Sequence, residues 1–252
     1  MDVEAEGVML SGLHIRNAEA VGLKLSAADV TVDGLEIDDV AFGMTVQAPR
    51  ATITRTAVHD LHLLINTPGG SDDTGAVGFD VQADDVSITA SSCTNCRAPS
   101  YDFGHDGGFA EIYNHGDRLR LIGNTARNVQ GILEIGGVVD DGGAHDVVLE
   151  NNTFNETFGG IWIHEKDEFS IPVGTVTLRG NTIVNSDKGV TLGGKVGALV
   201  LQDNTIAVPG HVSTGGEPAE HTGNHYYLTR PALLGFRAHG TETISTYDSY
   251  PR

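Results

Sequence analysis

Apolar and polar positions alternate with period two in short runs that recur along almost the whole chain. The runs are VMLSGLHIRN (8–17), VTVDGLEIDD (30–39), ATITRTAVHD (51–60), VSITASSCTN (86–95), LRLIGNTARN (119–128), VVLENNTFNE (147–156), VTLRGNTIVN (176–185) and LVLQDNTIAV (199–208). Their starts lie 22, 21, 35, 33, 28, 29 and 23 residues apart. A shortest period of 21–23 residues with variable insertions predicts a solenoid in which each repeat forms one coil. The leading pairs, from Val8/Leu10 and Val30/Val32 to Val176/Leu178 and Leu199/Leu201, predict strands with one buried face.

A second strand follows in most coils, usually opened by glycine: GLKLS (22–26), GMTVQ (43–47), GFDVQ (78–82), GFAEI (108–112), GILEI (131–135), GIWIH (160–164) and GVTLG (189–193). Five residues after the first aliphatic, the later coils carry Asn124, Asn152, Asn181 and Asn204. Stacked coils place these amides one above another, where each bonds its neighbours and the turn backbone. This pattern resembles the single-stranded right-handed parallel β-helix of pectate lyases and their relatives. The resemblance implies an all-β fold of about eight or more coils with an Asn ladder. The coils are expected over 1–208, with 209–252 as irregular C-terminal coils or a cap of the same domain. Coil one begins almost at Met1, so its open edge is expected to be covered by upstream residues or by a partner, such as a second copy.

The insertions locate a candidate site. LHLLINTPGGSDDTGAV (61–77) and CRAPSYDFGHDG (96–107) precede the Gly-led strand, whereas GGVVDDGGAHD (136–146) and EKDEFSIPVG (165–174) follow it. All four flank the same strand stack and predict a groove walled on two sides. In most coils the first and third residues after Gly face inward: Leu23/Leu25, Met44/Val46, Phe79/Val81, Ile161/Ile163 and Val190/Leu192. The same register would bury Glu111 and Glu134 in an apolar core at a cost of several kcal/mol. A one-residue slip in those coils turns Ala110/Ile112 and Leu133/Ile135 inward instead. The groove floor then reads Asp80, Glu111, Glu134, Trp162 on successive coils.

Composition narrows the chemistry. The 34 acidic residues against 15 basic ones, a net charge of −19, argue against a nucleic-acid partner. No apolar run is long enough to span a bilayer as a helix, so no membrane partner is expected. Cys93 occupies the position of Ala126, Phe154, Ile183 and Ile206 in other repeats, so it is expected to fill core. A local disulfide with Cys96 is an option in an oxidising compartment. Localisation is expected to be extracellular, although no export signal is visible at the N-terminus.

Two stacked carboxyls at the coil spacing of about 4.8 Å repel, so one holds a proton, as the acid and base of glycosidases do. Glu111 and Glu134 are therefore the candidate catalytic pair, with His105, His164 and Tyr113 assisting. Trp162 is the candidate sugar platform, and Asp80, Tyr101, Asp102, Arg97, Glu165 and Lys166 are candidate substrate contacts. The loops also bring Asp106, His115, Asp140, Asp141 and His145 nearby. No cofactor is required for hydrolysis, but Glu111 and Glu134 are also candidate Ca²⁺ ligands.

The stretch AEIYNHGDRLRLIGNTARNVQGILEIGG (110–137) resembles the central coils of alginate lyases and chondroitinase B in polysaccharide lyase family six. That resemblance implies a Ca²⁺-holding role for Glu111. At the family's Lys position stand His115 or Gly116, and at its Arg position Gly136, so its catalytic pair is missing. SYDFGHD is loosely similar, with its order shifted, to the Tyr/Asp/His cluster of mannuronan C5-epimerases. Arg97, Lys166 and Arg127 are the cations expected near the groove, which leaves it acidic enough to favour a neutral glycan. The leading expectation is a polysaccharide-cleaving hydrolase; the alternatives are a Ca²⁺-dependent lyase or epimerase and a non-catalytic glycan-binding, adhesin-like solenoid.

Overall fold

In the computed structural model, which describes residues 1–164, 168–185 and 188–251, most coils place one strand in each of three parallel sheets. Among the described residues these sheets hold seven, nine and ten strands. The seven-stranded groove sheet stacks Asp2–Val3, Val21–Leu25, Phe42–Val46, Val77–Val81, Gly108–Tyr113, Leu133–Gly136 and Ile161–Ile163. The paired strands Val190–Thr191 and Val212–Ser213 continue the same face, bridged to it through Ile161 and Leu192. Beyond residue 208 the coils go on: Glu220–Thr222 joins the nine-stranded sheet, and His225–Leu228 and Thr243–Thr246 join the ten-stranded one.

Period-two alternation becomes rows of identical depth. Along the ten-stranded sheet Ile15, Ile37, Val58, Cys93, Ala126, Phe154, Ile183, Ile206 and Tyr226 sit in one register. Cys93 fills its place in that row and is joined to Cys96 by a disulfide, with both residues fully buried. The Gly-led strands lie against this row. A Cβ on Gly78 would meet Cys93 Sγ at 2.5 Å and Phe109 O at 2.6 Å, so only glycine lets the chain turn this close to the core.

Between the nine- and ten-stranded sheets the chain turns through one residue with positive φ, as at Gly123, Asn151, Gly180, Asp203 and Gly223. The next residue is the ladder position. Asn124 donates from Nδ2 to Asn152 Oδ1 at 3.0 Å, Asn152 to Asn181 at 2.9 Å, Asn181 to Asn204 at 3.0 Å and Asn204 to Asn224 at 2.9 Å. Each carboxamide oxygen also accepts the backbone N–H of the preceding ladder residue. Ser91 and Thr56 carry the ladder one way, and Glu242 ends it the other way by accepting from Asn224 Nδ2 at 2.8 Å. Asn224 and Glu242 lie past the last repeat that the alternation picks out.

Candidate functional site

Register decides what faces the groove. Asp80 pairs with Glu111, Glu111 with Glu134 and Glu134 with Trp162, so these four side chains stand in line on adjacent coils. Their neighbours Phe79, Val81, Ala110, Ile112, Leu133, Ile135, Ile161 and Ile163 are buried. Glu111 and Glu134 are partly exposed, and Trp162 is 63% exposed on the floor.

The insertions form the walls of a cavity of about 1040 Å³. On one side, Leu63–Ile65 pairs antiparallel with Thr74–Gly75, and Ala98–Ser100 with Gly104–Asp106. Buried Asp73 pins these two hairpins together, accepting Ser100 Oγ at 2.7 Å, Asp102 N at 3.0 Å and Thr67 N at 2.8 Å. They present Asp72, Thr74, Phe103, His105 and Asp106 to the cavity. Gly136, Gly137, Glu168 and Phe169 also line it, as do Tyr113, Gln82, Gln130, Phe158, His164 and Lys188.

This enclosure works against negative charge. Burial pushes the Glu111 carboxyl well above its ordinary range, and the charges of Glu134, Asp80 and Asp106 add to it. Burial likewise pushes Asp80 up to about 6 against the hydrogen bonds of Thr45 and Gln82, and Asp106 up to about 6 with Glu134 and Asp73 contributing. Tyr113 is raised by burial and by Glu111 and Asp80; His105 is lowered by burial and by Arg97 and Lys188. Glu134 meets a group able to carry positive charge: His164 Nε2 lies 2.8 Å from its Oε1.

Asp80 is 5% exposed; its Oδ2 accepts Gln82 Nε2 at 2.8 Å, and its Oδ1 has no partner among the described residues. Its proton has a consequence for stability. The folded chain keeps this proton up to about pH 6, whereas an unfolded Asp loses it near 3.8. Stability therefore falls as pH rises through that window and is flat above it, a penalty of up to about 3 kcal/mol. Asp80→Asn is expected to be about 1–3 kcal/mol more stable than the parent near pH 7 and to lose this part of the pH dependence. Urea unfolding across the window checks it; an unchanged slope between pH 4 and pH 6 would refute a protonated Asp80.

Other expected contacts fall elsewhere. Tyr101 is 68% exposed at a hairpin tip and does not line the cavity. Asp102 turns its carboxylate to Gly69 N at 3.0 Å and Asp72 N at 3.3 Å, so it serves loop structure. Arg97 lies over the Phe158 ring at 3.7 Å and donates to Gln130 Oε1 at 2.8 Å, behind the lining. Arg127 pairs with Glu156 on the ten-stranded sheet, and His145 with Asp117. His115, Asp140 and Asp141 do not line the cavity either. Glu165 and Lys166 lie outside the described residues. The alternation did not single out Gln82, Phe103, Phe169 and Lys188. For Gln82 the signal was present: the strand endings MTVQ and FDVQ stack Gln47 on Gln82, with Nε2 to Oε1 at 3.0 Å.

Residues 3–206 match the family model described as the right handed beta helix region. Among solved structures, the chain is similar to a mutant tailspike protein of E. coli bacteriophage HK620 in complex with a pentasaccharide. The identity is 11% and the TM-score 0.52, with 95% of this chain and 54% of that chain covered. The chain thus spans about half the length of that protein, and at this identity the likeness is one of fold. No curated protein matches the sequence. These matches do not bear on the likeness of residues 110–137 to polysaccharide lyase family six.

Proposed function

The chain belongs to the right-handed β-helix family, and on that premise we propose that its groove cleaves a glycosidic bond of a polysaccharide, with Glu111 and Glu134 as the reacting pair. One observation carries this reading: Glu111 and Glu134 are register partners in an enclosed groove, one protonated by its surroundings and the other held by His164. Carboxyls on adjacent coils, about 4.8 Å apart, approach the separation of about 5–5.5 Å used by retaining glycosidases. Glu111 then protonates the leaving glycosidic oxygen as Glu134 attacks the anomeric carbon. In the second half, the Glu111 carboxylate takes a proton from the water that releases the sugar.

Trp162 is the next register partner along the floor and offers its exposed face to a sugar ring. The pentasaccharide bound by the tailspike supports an oligosaccharide-sized occupant. An extracellular setting fits the disulfide between Cys93 and Cys96.

Convergence of Asp80, Glu111 and Glu134 also favours a second reading. In it these carboxylates hold a Ca²⁺ that neutralises a uronate substrate for elimination or epimerisation. A panel of neutral and uronate polysaccharides separates the two when reducing ends and the ultraviolet absorbance of unsaturated products are followed with and without chelator. Reducing ends without absorbance, unaffected by chelator, are expected. Absorbance lost with chelator would move the assignment to a lyase, and binding without turnover would refute catalysis.

A further inference from the structure

Far from the groove, the last coils depart from their own pattern at two buried positions. The inner row of the nine-stranded sheet is aliphatic through Leu10, Val32, Ile53, Ile88, Leu121, Leu149, Leu178 and Leu201, and then becomes His221. The ladder position next to it becomes Glu242, whose side chain is fully buried. An imidazole at 3% side-chain exposure and a carboxylate at 0% are costly in a core position unless their polar atoms have partners.

They meet a third group. His239, itself exposed, lies against His221 with ring centroids 4.1 Å apart and the rings tilted by 51°, and ligand atoms of His221, His239 and Glu242 all lie within 4.8 Å of one another. His221 Nδ1 is 2.8 Å from Glu242 Oε2, and Nε2 is 3.2 Å from Glu217 Oε1. The carboxylate of Glu242 is fixed in turn by Asn224 Nδ2, Tyr226 OH and the His239 N–H. Phe236 closes one side of the His221 ring. The other side opens to a small cavity lined by Glu217, Glu220, His221 and His239.

We propose that His221 and His239, with a carboxylate of the Glu242/Glu217 pair, bind one divalent transition-metal ion of the zinc class at the C-terminal coils. Two imidazoles and one carboxylate are a common ligand set for such an ion, with the remaining position left for water. Glu242 has a second capacity: a carboxylate hydrogen-bonded to a ring nitrogen fixes the tautomer and aims the other nitrogen at the metal. Its anchoring in the Asn ladder makes the site rigid before any ion arrives. The His14/Glu36/Asp38 cluster in the first coils offers one imidazole instead of two, and Arg16 already lies beside its Asp38.

The test is titration of chelator-treated full chain with zinc by calorimetry, repeated with cobalt(II), whose visible absorption reports tetrahedral nitrogen and oxygen coordination. One equivalent is expected, with a raised melting temperature. His239→Ala is expected to weaken binding at least tenfold while the metal-free protein melts as the parent does. Glu217→Ala reports which carboxylate ligates, and His14→Ala is expected to change nothing. No saturable uptake, or uptake unchanged by His239→Ala, would overturn the proposal whatever the groove proves to do.

Discussion

Glu111→Gln and Glu134→Gln are each expected to lower glycan cleavage by roughly 10²–10⁴-fold, the range set by a positioned proton donor or nucleophile. The two losses have different origins. Glutamine at 111 removes the proton that burial and three neighbouring carboxylates hold in place, so the leaving oxygen departs unprotonated. Glutamine at 134 removes the negative charge that His164 faces, so no covalent intermediate forms. Neither change removes apolar packing, because both side chains project from the floor while Ala110, Ile112, Leu133 and Ile135 keep the core filled. The melting temperature of Glu134→Gln should therefore stay near that of the parent, whereas Glu111→Gln should melt higher near pH 7, for the same reason as Asp80→Asn: a buried carboxyl unwilling to ionise is gone. The pH profile adds a separate readout: parent activity should decline as pH rises through the elevated Glu111 value, where the acid is lost. Cleavage within tenfold of the parent in either variant would remove that residue from the chemistry.

How far this site was legible from sequence depends on which physical constraint fixes each part. The floor was readable because a strand has only two faces: burying Glu111 and Glu134 would be prohibitive, so the slip that exposes them had to occur. The wall positions were readable from insertion lengths alone. The directions of wall side chains were not. Tyr101, Asp102 and Arg97 sit in a loop rich in polar residues, and nothing in their spacing says that Asp73 would draw two hairpins together and turn Asp102 toward the Gly69 and Asp72 amides. Lys188 escaped notice for a related reason: it lies two coils from the carboxylates in sequence order, yet the cavity extends along the helix axis to reach it. The Asn ladder was legible over four coils and missed at Asn224 and Glu242, because the aliphatic run that announced each repeat gives way there to Glu220–Thr222.

Asn152→Ala tests whether the ladder holds the solenoid together, and the expected cost is on the order of 3–5 kcal/mol. Asn152 Oδ1 accepts both Asn124 N at 2.9 Å and Asn124 Nδ2 at 3.0 Å. Its Nδ2 donates to Leu121 O at 2.8 Å and to Asn181 Oδ1 at 2.9 Å. Truncation leaves the Asn124 N–H without its partner and takes one hydrogen bond each from Leu121 O and Asn181 Oδ1, at a bend where Asn124 and Asn181 are both about 1% exposed. The orphaned buried group costs roughly 1–3 kcal/mol, and the lost hydrogen bonds and side-chain volume add to this. Coils touch mainly their neighbours, so the damage is felt at two interfaces in the middle of the stack, where no end can fray to relieve it. Asn155→Ala, on the same coil but exposed, is the matched control and should stay within about 0.5 kcal/mol of the parent. Urea unfolding of both variants decides the matter. Equal midpoints would mean that water replaces the amide at the bend and that the apolar rows alone keep the coils in register.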